Sequence, residues 1–216
     1  MAPRFITFEG LDGSGKSSHL AWVAEELARA GVRCLVTHEP GGTPLGDAVR
    51  SLFLDPRWGR LDGGVEMLLV FASRRQHLLE RIEPALADDQ LVLCDRFTDS
   101  TVAYQGHGRG FDLGMIDRID RVATGRRRPD RTLLFDLPEE EARRRGHSPA
   151  RQGRGAADRL DSEDLDFYRR VRRGFRTLAD AEPERFRLVD SSGGRDATAA
   201  AVRTALADVL PGPVAP

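Results

Sequence analysis

The chain has 216 residues, 40% hydrophobic and 31% charged, with 33 basic against 34 acidic side chains and a formal net charge of −1. That size suits one α/β domain with small insertions, and the near-neutral balance excludes nucleic-acid binding through overall charge, leaving any anion site to local arginine placement. No apolar run approaches the roughly eighteen residues of a membrane span, and no secretory h-region is present, so a cytoplasmic protein is expected.

A short β-branched and aromatic run, 5–9, reads as a buried strand. It leads into Gly10-Leu11-Asp12-Gly13-Ser14-Gly15-Lys16-Ser17, the G-x-x-x-x-G-K-[ST] pattern of phosphate-binding loops. A helix is predicted over 16–30, where Leu20, Val23, Ala24, Leu27 and Ala28 recur at helical spacing and Gly31 supplies the stop. In such a loop successive backbone N–H groups curl around phosphate oxygens at the positive end of the helix. The lysine reaches the β- and γ-phosphates, and the hydroxyl of Ser17 holds Mg²⁺. Lys16 is the only lysine in the chain, all other basic residues except histidine being arginine. A compact ammonium thus stands where a phosphate cradle favours one over a planar fork.

Beyond the loop, a second strand is predicted over 32–37, broken by Glu39-Pro40-Gly41-Gly42-Thr43. Pro44 can open a helix to about 54, and a polar loop runs to 64. A long helix follows over 65–87, with Pro84 ending its regular part early. A buried strand at 91–94 closes on Asp95. Segments 100–105 and 113–124 look helical, with Gly106 to Gly110 as a flexible joint between them. A fourth strand, 132–136, is followed by a helix start with acids in its first turn. The stretch 146–158 is rich in Gly and Arg and lacks apolar anchors, which predicts a mobile lid. A helix over 162–181, a strand at 186–189, a helix at 197–209 and a frayed tail at 211–216 complete the chain.

The alternation predicts a three-layer α/β/α sandwich of the P-loop NTPase kind. Its central parallel sheet has about five strands, and one domain spans 1–210. Cys34 and Cys94 lie in apolar runs and read as core thiols, and no metal-ligand spacing links the cysteines with the five histidines. With Lys16 committed to phosphate, no lysine remains for the guanine-reading element of a GTPase. Arginines at loop–strand junctions instead fit a kinase whose acceptor is a nucleoside phosphate. Asp95 closes an apolar strand in the manner of a Walker-B aspartate and would act on Mg²⁺. Asp12 is a carboxylate inside a phosphate loop, a placement that makes sense if it orients substrate or metal water.

Glu39-Pro40-Gly41-Gly42-Thr43 and Asp95-Arg96-Phe97, with Ser100-Thr101 and Ala103-Tyr104-Gln105-Gly106 after them, resemble the thymidylate (dTMP) kinases. So do Phe8-Glu9-Gly10 and Arg128-Pro129-Asp130, and the likeness runs in order from about residue 4 to residue 190. The resemblance implies transfer of the γ-phosphoryl group of ATP to dTMP, giving ADP and dTDP for dTTP synthesis, with Mg²⁺. It also implies a homodimer packed through long helices, with 65–87 and 115–122 as candidates. Action on another monophosphate, such as dUMP or a ribonucleotide, is the alternative, and a nucleotide-binding regulator without turnover is a third reading.

The same resemblance implies residue roles. Gly10, Leu11, Asp12, Gly13, Ser14, Gly15, Lys16 and Ser17 would hold ATP, with Ser17 and Asp95 on the metal. Glu39 and Pro40 belong to the acceptor loop, and Arg50 and Arg96 would grip the dTMP phosphate. Arg74 would bond the thymine edge with Phe71 stacked on its face, while Ser100, Tyr104 and Gln105 would read base and sugar, Tyr104 crowding out a ribose 2′-hydroxyl. Lys16, Asp12, Arg96 and the lid arginine Arg159 form the catalytic set, with Arg151 and Arg154 as rivals for the lid role. Two departures stand out. Many relatives place the stacking phenylalanine four residues before the arginine, where this chain has Val70. Gly13 stands where some relatives carry an arginine, which shifts a positive charge to the lid.

Overall fold

The computed structural model describes residues 2–146 and 158–210. Its centre is β1 (Phe5–Gly10), buried along its whole length. Ile6 and Phe8 point to one face of the sheet and pack with Leu20, Val23 and Leu27 of α1 (Lys16–Arg29). Phe5 points to the other face and packs with Val92, Cys94 and Phe97. A strand apolar on both faces must be covered on both, which places it in the middle of a parallel sheet.

Around it lie β2 (Cys34–His38), β3 (Leu91–Asp95), β4 (Arg131–Asp136) and β5 (Phe186–Asp190), all parallel, in the order β2-β3-β1-β4-β5. The chain leaves β1 toward one edge and returns past it to build the other, so the end of β1 is a topological switch point, where ligands bind in open α/β sheets. The phosphate-loop motif occupies that point. The α/β sandwich with about five parallel strands is therefore as the sequence predicts. Both cysteines are free thiols.

Connecting helices are α2 (Pro44–Leu54), α3 (Gly63–His77), α4 (Glu83–Ala87), α5 (Thr98–Thr101), α6 (Leu113–Thr124), α7 (Glu139–Gly146), α8 (Leu165–Ala181) and α9 (Arg195–Ala205). The regular part of the long helix ends early, at His77, as expected, and a π-helical stretch, Leu78–Ile82, joins α3 to α4. The wider turn opens the backbone where the proline ring would meet the carbonyl one turn earlier. One expectation changes here: 106–110 is not a flexible joint throughout. π-Helical turns continue α5 over Val102–Gly108, and Gly106 and Gly108 are buried. A Cβ on Gly108 would come within 2.7 Å of the Phe167 ring, so glycine serves close packing against α8. Of the predicted lid, 146–158, all but the two end residues lies outside the described residues, as does the predicted tail. Among the described residues no helix is long and apolar enough to cross a membrane.

The same face of β1 that carries Phe5 carries Glu9, fully buried beneath the strand ends. Glu9 accepts from the Phe97 amide at 2.7 Å and from Ser100 Oγ at 2.6 Å. Burial, with the charge of Asp99 acting in the same direction, pushes its pKa up to about 8. Between the ordinary glutamate value and pH 8 the unfolded chain has released this proton while the folded protein keeps it, so stability falls as pH rises. Wild-type stability relative to Glu9→Gln should drop by about 1.4 kcal/mol per pH unit between pH 5 and 8, read by reversible urea unfolding. A gap that stays constant across this window contradicts a protonated Glu9.

Candidate active site

The loop after β1 turns through Gly10, Gly13 and Gly15 at φ of 135°, 84° and 85°, and α1 begins at Lys16. A Cβ on Gly13 would lie 2.3 Å from the Ala142 carbonyl oxygen of α7, so this position cannot carry an arginine while α7 packs there. Lys16 is buried, its Nζ 3.2 Å from Asp12 Oδ1 and 3.4 Å from the Leu11 carbonyl. Burial, reinforced by the positive charge of Arg96, holds its pKa below the ordinary lysine value. The Ser17 hydroxyl donates to Asp95 Oδ2, and Asp95 Oδ1 is buried with no hydrogen-bond partner. A hydroxyl and an unpartnered carboxylate oxygen are hard donors that suit Mg²⁺. Among the described residues no group of three or more His, Cys, Asp or Glu could hold a metal.

Arg96 follows β3 with φ at 71°, a left-handed conformation that costs a non-glycine residue energy and is kept only where neighbours impose it. Here the Arg96 amide donates to the Phe8 carbonyl at 3.0 Å and the next amide is held by Glu9. The turn throws the guanidinium across the sheet end. Nη1 donates to the Gly10 carbonyl at 3.1 Å and Ser100 Oγ at 3.0 Å. Nη2 donates to Asp12 Oδ1 at 2.9 Å and Tyr104 Oη at 3.3 Å, and the group lies 5.1 Å from the Tyr104 ring centroid. One oxygen of Asp12 thus receives both Lys16 and Arg96.

A cavity of about 610 Å³ opens beside this junction, walled by α2, α3, α5 and the Glu39–Pro40 loop. Arg74, buried at 1% exposure, is its most constrained group. Nε donates to Glu39 Oε2 at 2.6 Å and Nη2 to Thr101 Oγ1 at 3.0 Å. Its guanidinium lies between the rings of Phe71 and Phe97, 4.9 and 5.0 Å from their centroids. Glu39 Oε1 accepts from His77 Nδ1 at 2.9 Å, and His77 Nε2 is 2.6 Å from Thr37 Oγ1. Every group around Arg74 is tied down except its own Nη1, which is buried and has no partner. A donor fixed in place and unpartnered is built for an acceptor brought by a ligand. Arg50 also faces the cavity, its Nη1 on the Pro40 carbonyl at 3.1 Å.

Of the residues singled out by sequence, Asp12, Glu39, Pro40, Arg50, Arg74, Arg96, Ser100, Tyr104 and Gln105 line this one cavity. Lys16 joins it through Asp12, and Ser17 is bonded to Asp95, next to Arg96 in the chain. Phe71 and Arg159 do not line it. Val70 does, four residues before Arg74 and on the same helix face. Phe71 instead packs with Met67, Ile116 and Ala123 and supports Arg74 from behind. Arg159, expected on a transferring phosphoryl group, is buried with Nη1 on Glu66 Oε1 at 2.6 Å and Nε on the Phe53 carbonyl at 3.1 Å. Its charge is paired with Glu66, while its Nη2 is buried without a partner. Its rivals Arg151 and Arg154 lie outside the described residues. Sequence reasoning missed Phe53, Phe97, Asp158 and Leu160 in the cavity wall, and the buried acids Glu9 and Glu66. The available signal for both acids was a lone carboxylate inside an apolar run, Phe-Ile-Thr-Phe-Glu and Val-Glu-Met-Leu-Leu-Val-Phe.

Comparison with known proteins bears on this arrangement. The family model described as thymidylate kinase matches residues 8–202. The thymidylate kinase of Desulfosudis oleivorans is 47% identical over 191 residues, covering 88% of this chain and 89% of that protein. The thymidylate kinase of Geobacter sulfurreducens is 46% identical over 208 residues, covering 95% of each. The solved structure of thymidylate kinase from Ehrlichia chaffeensis superposes with a TM-score of 0.76 at 34% identity, covering 96% of this chain and 99% of that one. With its phosphate loop, its left-handed Arg96 and its buried Arg74 in one continuous site, the chain belongs to the thymidylate kinase family.

Proposed function

We propose that the chain is a cytoplasmic dTMP kinase, a single domain over 1–210, transferring the γ-phosphoryl group of ATP to dTMP to give ADP and dTDP and so supplying dTTP synthesis. The observation that carries this reading is the unpartnered Nη1 of Arg74, a fixed donor in a cavity joined through Asp12 to the phosphate loop. A carbonyl such as thymine O4 satisfies it, whereas the exocyclic amine of cytosine presents a second donor. Val70, beside Arg74, offers apolar contact to the base, and the Tyr104 ring takes the space a ribose 2′-hydroxyl would need.

The acceptor phosphate is already an anion at neutral pH, so positioning and charge neutralisation dominate the chemistry. Arg96 and Arg50 hold that phosphate, their planar forks matching pairs of oxygens. Lys16 and the loop amides hold the donor phosphates. Asp12, touching Lys16 and Arg96 at once, keeps the two cations in register so that the two phosphates meet without reorganisation. Ser17 and Asp95 would hold Mg²⁺, which would supply further neutralisation of phosphate charge. Exposed Leu45 and Leu52 on α2, Val65 and Leu68 on α3, and Leu113, Met115 and Val122 on α6 support a homodimer packed through these helices.

A coupled ADP-release assay with ATP and Mg²⁺ across dTMP, dUMP, dCMP and ribonucleoside monophosphates should show the highest kcat/KM with dTMP. Preference for a ribonucleotide, or binding without turnover, contradicts the reading. Lys16→Ala should lower kcat by about 10²–10³-fold, the usual loss for one charge-stabilising donor, with the protein still folded by circular dichroism. Sedimentation should give twice the 23.9 kDa chain mass, and Val122→Glu, at a position 81% exposed, should shift the protein toward monomer. A wild type that sediments as a monomer at micromolar concentration contradicts the dimer.

A further inference from the structure

Gln105 is the polar group in the cavity whose chemical meaning is least fixed by its own nature. A primary amide offers a donor or an acceptor, and a half-turn about its last bond exchanges them. Its Nε2 lies 2.8 Å from Oε2 of Glu66. A carboxylate only accepts, so the amide nitrogen must face it whatever the ligand. Gln105 Oε1 is left for the cavity, which Gln105 lines and where no described residue donates to that oxygen.

Glu66 is itself held rigidly. It is fully buried on α3, in line with Val70 and Arg74 at successive turns, both of which face the cavity. Its Oε1 accepts from Arg159 Nη1 at 2.6 Å and from Arg109 Nη2 at 2.9 Å. Arg109 also donates to Glu163 at 2.6 Å and lies 4.6 Å from the Phe167 ring centroid. Two arginines and two glutamates make a charge-balanced cluster that meets the cavity wall at the amide of Gln105 and, through Arg159, at Phe53.

We propose that Glu66 is a positioning residue that sets the base selectivity of the site by fixing Gln105 as an acceptor. Resting on the kinase reading above, this gives the cavity one fixed donor, Arg74 Nη1, and one fixed acceptor, Gln105 Oε1. A pyrimidine imide, with a carbonyl at C4 beside N3–H, complements that pair. Cytosine, with an amine at C4 beside an unprotonated N3, opposes it at both atoms. Without Glu66 the amide is free to turn and meet cytosine's N3 as a donor.

The test compares kcat/KM for dTMP and dCMP in wild type, Glu66→Gln, Gln105→Met and the double variant. Glu66→Gln should raise KM for dTMP about tenfold or more and lower the dTMP-to-dCMP ratio at least tenfold, with KM for ATP within about twofold. In the Gln105→Met background the same substitution should change the ratio less than about twofold, because the residue it acts through is gone. A folded Glu66→Gln whose ratio matches wild type, or equal losses in both backgrounds, would overturn the proposal. Should Glu66→Gln not fold, Glu66→Asp, which keeps the charge but withdraws the carboxylate by one methylene, is read against the same criteria. A wild type that binds dTMP but does not phosphorylate it defeats the kinase reading alone, and the selectivity ratio is then taken from calorimetric binding constants.

Discussion

A guanidinium removed from water must meet a carboxylate, and in this chain that constraint decides where the site can be. Arg74 is matched by Glu39, Arg96 by Asp12, Arg109 and Arg159 by Glu66, and Arg185 by Asp99. Breaking one such buried pair typically costs about 3–5 kcal/mol, because the remaining charge is stranded. The pairs are therefore not surface decoration. They fix the arginines in place, and at Arg74, which lines the cavity, one nitrogen is left over for a ligand.

This is why the acceptor side and the donor side form one apparatus. Asp12 is a loop residue of the donor cradle, yet it is also the carboxylate that Arg96 requires. Arg96 reaches it only because its backbone is turned left-handed, with Glu9 and the end of β1 holding the turn. Lys16 is buried beside Arg96, in a desolvated place that disfavours its charge until an anion such as phosphate is brought to it. Preorganised charge of this kind need not rearrange as the phosphoryl group moves.

Much of the donor half was legible in the sequence because its requirements are local. A positive-φ glycine, a lysine one residue after it and a helix start are all encoded within eight residues, and the alternation of strands and helices gave the sheet. The acceptor half depends on how distant segments meet. A phenylalanine three residues before Arg74 and a valine four before it are nearly equivalent on a helical wheel, and only the packing of α6 decides that Phe71 turns inward to Met67 and Ile116 while Val70 faces the cavity. Arg159 likewise reads as one more arginine in a Gly- and Arg-rich stretch, and its burial rests on Glu66, 93 residues away. Gly108 misled for a related reason: a close helix crossing is a tertiary solution that local propensity does not report.

The central claim is that the acceptor site is already assembled, with Arg74 locked by Glu39 and offering a single nitrogen to the base. The most direct measurement is a crystal structure of the protein with dTMP bound. The account predicts Arg74 Nη1 at about 2.7–3.2 Å from thymine O4, the normal hydrogen-bond range, with the Glu39 and His77 contacts unchanged. An Arg74 drawn away from Glu39 to meet the base, or a base seated away from Arg74, would contradict it.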